Sequence, residues 1–379
     1  MVSRRDVVFG CGSALAALAM PFRASAAAGK VYRVPVQLAS NRLLVSCTIE
    51  GQGPFALGID TGGVVSMIDS DLATRLDLRK RGKTGLGIAG RHDLFQMFEA
   101  REVIFANAFR QERVLLAGLE DMSLGGDVVG MLSAGCLTTM DAELDFSAMQ
   151  WRLYPEGGPD RSGWIAHEDA IRPTKVGSPH LFGEARLGGQ KLRCLFDTGA
   201  PPPISLSFKS ARKVGIDINR QNWSPALANG RDARNYRSNQ PLEIGGLTIE
   251  RPLISVSDGP PGWVDDGIVG LGLIRRLNLA TEIKARRLWT RPSGLPELPE
   301  RYSISGLWTD EKGKDLVVQR VGTGSPAERA GIAPGDRING LRLRELIGML
   351  SGKPGDRVTL NVSRGGASRN VTLVLEPYV

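Results

Sequence analysis

The tripeptide Asp-Thr-Gly occurs twice in this 379-residue chain, at Asp60-Thr61-Gly62 and at Asp197-Thr198-Gly199. Each copy closes an apolar run, Phe55-Ala56-Leu57-Gly58-Ile59 in one case and Leu192-Arg193-Cys194-Leu195-Phe196 in the other. Both runs read as buried strands. Average residue usage gives roughly 0.1 such tripeptides in a chain of this length. A single copy would read as a turn ending a strand, since Asp and Gly are turn residues. Two copies in matching contexts argue against a pair of unrelated turns.

The contexts also agree further along. Val128-Val129-Gly130 follows the first copy by about seventy residues, and Ile268-Val269-Gly270 follows the second by a similar interval. Each is followed by a short helical stretch and then by a strand pattern containing Trp, Met149-Gln150-Trp151-Arg152-Leu153 and Arg287-Leu288-Trp289-Thr290. The unit is an internal repeat of about 130 residues. Two units are too few for a solenoid and predict a pair of lobes related by a pseudo-two-fold axis.

These residues resemble the pepsin/retropepsin family of aspartic proteases, in which each lobe carries one Asp-Thr/Ser-Gly loop and one apolar-apolar-Gly element behind it. The resemblance covers roughly residues 30–291 and is to a fused pair of retropepsin-sized lobes. It implies a mainly β fold with two pseudo-symmetric retropepsin-like β-barrel lobes, residues 29–157 and 158–291. It implies that Asp60 and Asp197 are catalytic and that Thr61 and Thr198 hydrogen-bond across the dyad. Gly62 and Gly199 would let each loop approach its partner. Gly130 and Gly270 would be the glycines of the two ψ-loops. Gly85–Gly90 would be a flap tip, with Gly87 and Ile88 over the site and Asn229-Gly230 at the corresponding place in the second half. A plain hairpin accounts for these residues equally well, since Asn-Gly is itself a hairpin turn signal. Gly63 departs from the family's usual Ala or Ser, and Pro201-Pro202-Pro203 stiffens the second loop.

The chemistry implied is peptide hydrolysis. Two facing carboxyls cannot both ionise easily, so the pair holds one proton over a working range. The ionised member would take a proton from a water, which attacks the scissile carbonyl, while the protonated member donates to the carbonyl oxygen. No cofactor and no metal are expected. His92, His167 and His180 have no metal-ligand spacing, and no Gly-x-Ser-x-Gly elbow or phosphate-binding glycine loop is present.

The N-terminus reads as an export signal over residues 1–28. Arg4 and Arg5 precede an apolar stretch from Val7 to Met20, and Ala24-Ser25-Ala26 forms a small-residue cleavage pattern. Paired arginines suggest the twin-arginine route, with an ordinary secretory signal as the alternative. The expected location is periplasmic or secreted, with no transmembrane segment in the mature chain and no long pro-segment before the first strand. Beyond Cys11 of the signal three cysteines remain, Cys47, Cys136 and Cys194, an odd number that cannot form a complete disulfide framework. Cys47 and Cys194 sit in apolar strand patterns and read as core. The formal charge is +8. The densest basic run, Arg79-Lys80-Arg81-Gly82-Lys83, lacks interleaved aromatics and reads as a solvated loop, so no nucleic-acid partner is expected.

Strands are expected at Val31–Leu38, Leu43–Glu50 and Phe55–Ile59, with Asp69 capping a helix that runs to Leu76. Residues 292–302, with Pro292, Pro296 and Pro299, read as a linker. Residues 303–379 carry Ser325-Pro326-Ala327, Ala330-Gly331-Ile332 and Gly335-Asp336-Arg337-Ile338, then a helical pattern over Leu343–Leu350. This segment resembles a small α+β PDZ domain. The resemblance implies that Gly306, Leu307 and Trp308 form a loop that binds a peptide C-terminus by strand addition. A module that only packs against its neighbours is the alternative. The expected partners are a peptide or protein substrate and a C-terminal peptide on the module. A non-catalytic peptide-binding or scaffold protein that retains the protease fold is the alternative to an enzyme.

Overall fold

The computed structural model describes residues 29–88, 91–120, 127–228, 231–258, 264–313 and 315–379. The proposed export signal, the flap-tip residues Ala89 and Gly90, and Asn229 and Gly230 lie outside the described residues. The fold is mainly β.

The first half opens on strands Tyr32–Ala39, Arg42–Ile49 and Gln52–Ile59. Val34 and Val36 are buried and alternate with exposed neighbours, as on a sheet with one face in the core. Leu57 and Ile59 at the end of the third strand are both buried, as are Cys194, Leu195 and Phe196 at the end of its counterpart Gln190–Asp197. Continuous burial marks strands covered on both faces.

The repeat appears as matching strand order. In the first half, Gln52–Ile59 pairs in parallel with Val128–Leu132, which pairs antiparallel with Met67–Asp69, which pairs in parallel with Phe109–Leu119. In the second half, Gln190–Asp197, Gly267–Gly270, Ile204–Ser207 and Leu253–Ser257 repeat the same senses. A short helix follows Met67–Asp69 and another follows Ile204–Ser207. Asp69 accepts from the Leu72 N–H at 2.7 Å and Ser207 from the Ser210 N–H at 3.0 Å, so both helices are capped by a side chain, the first at the expected Asp69.

Strand register corrects one equivalence read from the sequence. Gly130 lies opposite Leu57, three residues before Asp60, whereas Gly270 lies opposite Asp197 itself. The counterpart of Gly130 is therefore Gly267, opposite Cys194. The counterpart of Gly270 is Ser133. Packing agrees: a Cβ on Gly130 would collide with the Met67 carbonyl and one on Gly267 with the Ser205 carbonyl. The basic run Arg79–Lys83 is also corrected. It belongs to strand Arg79–Ile88, at the edge of its sheet, where charged side chains oppose further strand addition. Arg81 there forms a two-pronged pair with Glu99, with contacts of 2.7–3.1 Å.

The two halves are joined by a sheet built from both. Asp141–Asp145 and Leu277–Glu282 lie side by side, with Leu144 opposite Leu279 and Ala142 opposite Thr281. Buried Thr281 donates to the Leu137 carbonyl at 2.6 Å and buried Asn278 accepts from the Phe146 N–H at 2.8 Å. One hydrophobic core runs through both halves. A second core, from Leu307 to Leu375, belongs to the C-terminal module alone. That module is a sheet of Leu307–Lys312, Asp315–Val321, Arg337–Ile338, Arg357–Arg364 and Ala367–Val374, with helices Pro326–Arg329 and Leu343–Leu350.

The module rests on the second half. Arg320 donates to the Ala226 and Ala233 carbonyls at 3.1 Å each, pairs with Asp232 at 3.2 Å and lies over the Trp308 ring. Ala226 and Ala233 face each other across the hairpin of Ser224–Ala228 and Arg231–Arg237. The segment before the module is tied down as well: Glu300 takes a two-pronged bond from Arg237 (2.7 and 2.6 Å), and Glu297 pairs with Arg276 at 2.9 Å. Its prolines supply a strand end and an extended path along the second half. Among the described residues, no helix is long and apolar enough to cross a membrane.

Candidate active site

Both Asp-Thr-Gly copies end strands that run side by side with their glycine-bearing neighbours, and both turn in the same way. The Asp60 carboxyl accepts from the N–H groups of Gly62 and Gly63 at 3.0 and 3.1 Å, and the Asp197 carboxyl from the Gly199 N–H at 2.8 Å. An Asp that bonds the backbone two residues on makes a tight turn. The sequence folds this way locally because Asp supplies the acceptor and Gly the space.

The threonines then cross. Thr61 N–H donates to Thr198 Oγ1 at 3.1 Å, and Thr198 N–H donates to Thr61 Oγ1 at 3.0 Å. Each hydroxyl also donates to the strand of the other half, Thr61 to the Phe196 carbonyl at 2.7 Å and Thr198 to the Ile59 carbonyl at 2.6 Å. Both threonines are buried. Four bonds therefore hold the loops to one another, as the resemblance implied.

This bracing brings the carboxyls together. Each carboxyl lies against the glycine of the opposite loop, and the two face each other closely enough for the charge of one to act on the other. A Cβ on Gly199 would stand 2.6 Å from the Asp60 carboxyl carbon, and one on Gly62 would collide with the Asp197 carboxyl. Only Gly fits either place. Burial raises the Asp60 carboxyl above its ordinary value, against the lowering effect of Asp197 and of its bonds from Gly62 and Gly63. Asp197 is raised well above its ordinary value, by burial first and then by the charge of Asp60. The pair therefore keeps one proton between the two carboxyls over a working range. The two titration steps belong to the pair.

The neighbouring elements differ between halves. Ser133 hydroxyl contacts the hydroxyls of Ser66 at 3.3 Å and Ser178 at 3.2 Å, and its N–H donates to Ser66 at 3.0 Å. At the matching place, Gly270 N–H donates to the Pro203 carbonyl at 3.0 Å, and a Cβ would meet the Ala200 carbonyl at 2.5 Å. The triple proline thus packs directly over Gly270. The sequence reading missed Ser133, although equal spacing from the two aspartates pairs it with Gly270. It also passed over His180, which bonds the Gly62 carbonyl at 3.2 Å.

Gly87 and Ile88 end strand Arg79–Ile88, facing His92 and Arg91 in register on a long hairpin. Leu86 and Met97 on that hairpin are buried with Ala117, against Val65 and Met67 just past the first aspartate loop. Cys47, Cys136 and Cys194 are free thiols, and Cys47 and Cys194, expected in the core, are buried. Burial pushes Cys47 up to about 12, and burial together with the Asp60 charge pushes Cys136 to about 12. No thiolate is available there. Among the described residues no cluster could hold a metal ion. A surface cavity of about 470 Å³ beside His167 and Arg193 contains neither aspartate.

In the module, Leu307 and Trp308 begin the edge strand Leu307–Lys312. The Gly306 N–H donates to Ser303 Oγ at 3.1 Å and the Leu307 N–H to Ser305 Oγ at 3.2 Å. These amides are engaged within their own loop. Comparison with known proteins finds no matching family model and no matching curated protein.

Proposed function

We propose that this chain is an exported aspartic endopeptidase with two fused retropepsin-like lobes and a C-terminal PDZ-like module. The observation that carries this reading is the facing pair of carboxyls, Asp60 and Asp197, each against the glycine of the other loop and braced by the crossed threonines. The ionised member of the pair is the base that takes a proton from a water between the carboxyls. That water attacks the scissile carbonyl as the protonated member gives its proton to the carbonyl oxygen. The tetrahedral intermediate then breaks to a new carboxyl and a new amine, with no covalent bond to the enzyme. The hairpin bearing Gly87 and Ile88 is the flap that covers a bound peptide and keeps bulk water away.

The PDZ-like module presents the edge strand Leu307–Lys312 for strand addition by a peptide C-terminus. A bound carboxylate would take over the Gly306 and Leu307 amides from Ser303 and Ser305. The signal-like N-terminus supports a periplasmic location. The test is incubation of the mature protein with a mixed peptide library from acid to neutral pH, with mass spectrometry of the products. Internal cleavage at defined bonds is expected. Absence of any new termini across the range would leave a peptide-binding protein.

A further inference from the structure

One side chain from the second half reaches the aspartate loop of the first. His180 begins strand His180–Leu187 and is buried, 6% exposed. Its Nε2 lies 3.2 Å from the Gly62 carbonyl. A carbonyl oxygen only accepts, so Nε2 carries the hydrogen. Burial holds the ring below its ordinary value and so favours its neutral form. The same Gly62 donates its N–H to the Asp60 carboxyl and faces the Asp197 carboxyl through its Cα. His180 thus holds one end of the glycine whose other end holds Asp60.

The residues before His180 grip the same loop. Ser178 N–H donates to the Val64 carbonyl at 2.7 Å, and Ser178 Oγ meets Ser133 Oγ at 3.2 Å. Thr138 hydroxyl donates to the Pro179 carbonyl at 3.3 Å. Three consecutive residues, Ser178 to His180, therefore run as a strap from the second half across the first. Strand register puts Arg42 at the position equivalent to His180, so the two halves are built differently here.

We infer that His180 is a positioning residue that sets the orientation of the Gly62 backbone and, through it, the alignment of Asp60 with Asp197. The inference rests on the peptidase reading of the dyad for its effect on turnover, but not for its effect on the loop. A misplacement of the base by about 1 Å costs up to about a hundredfold in rate. The hydrogen bond joins two groups of the protein itself, so its loss should act on kcat and spare KM.

Two variants separate the hydrogen bond from the ring. His180→Phe keeps a ring beside Phe182 and removes the donor. His180→Gln keeps a donor and removes the ring. Both are purified full-length with wild type and Asp60→Asn, and assayed on the library peptide that wild type cleaves fastest. Hydrogen–deuterium exchange is followed in the fragment spanning Asp60 to Ser66. The Phe variant should lose about tenfold to a hundredfold in kcat with little change in KM. Its loop amides should exchange about tenfold faster. The Gln variant should resemble wild type in both. Unchanged exchange in the Phe variant would overturn the inference, as would equal impairment or unfolding of both variants, which would make His180 a packing residue. Exchange contrast without cleavage by wild type would sink the peptidase reading and leave the positioning role standing. Cleavage that Asp60→Asn abolishes, with unchanged exchange in the Phe variant, would do the reverse.

Discussion

Thr61 and Thr198 each serve two backbone groups of the opposite half, so loss of either hydroxyl should be costly. Thr61→Val leaves the Thr198 N–H and the Phe196 carbonyl without partners, and Thr198→Val leaves the Thr61 N–H and the Ile59 carbonyl. Each change should cost roughly 2–4 kcal/mol in urea unfolding, from two unsatisfied buried groups. Thr→Ser at either site should cost far less, and a Val variant as stable as wild type would show that the crossed bonds do not hold the halves. The aspartates act on stability in the opposite sense. Their carboxyls are raised above the ordinary 3.8, so the native state binds protons more tightly than the unfolded chain. Stability is then fullest below that value and declines as pH rises from it through the native range. Asp197→Asn should flatten this decline and raise the melting temperature at neutral pH. Melting curves from acid to neutral pH check it, and an unchanged slope would place the proton elsewhere.

At the scale of elements, the strands facing the two aspartate strands obey the same geometry with different side chains. Gly270→Ser forces a Cβ against the Pro202 and Ala200 carbonyls, which are backbone atoms that cannot swing aside. It should destabilise by about 3 kcal/mol or more. Ser133→Gly, the reverse change at the equivalent place, loses the hydroxyl's contacts to Ser66, Ser178 and the Gly135 N–H and should cost about 1–2 kcal/mol. Thermal melting of both tests the register equivalence, and similar losses would contradict it. The repeat, the aspartate strands, the Asp69 cap and the Leu343–Leu350 helix were all legible, because each depends on neighbours close in sequence. Ser133 was hidden because an apolar-apolar-Gly pattern three residues early matched Gly270 better by type than by position. Arg79–Lys83 was misread because its charges look like a loop, whereas edge-strand pairing to the next strand is a long-range fact. His180 and Arg320 gave no local signal at all, since their partners lie in the other half or the other module.

At the scale of the molecule, the two halves share one core and one linking sheet, while the C-terminal module has its own core and a polar contact with the second half. Deleting residues 301–379 should therefore leave a soluble β unit that still cuts short peptides. Loss of all cleavage or insolubility would make the module part of the catalytic fold. Arg320→Ala should leave both bodies folded and expose the joining segment, residues 293–302, to limited proteolysis, and protection equal to wild type would show that other contacts hold the module. The central claim concerns the halves: each contributes one carboxyl to a single reaction. Residues that act as one unit are non-additive. Asp60→Asn, Asp197→Asn and the double variant are assayed beside wild type on one cleaved peptide, with melting curves to show that each is folded. Each single variant should lose cleavage to a similar degree, and the double variant should be no worse. Substantial kcat/KM in a folded single variant would contradict a mechanism that needs both aspartates.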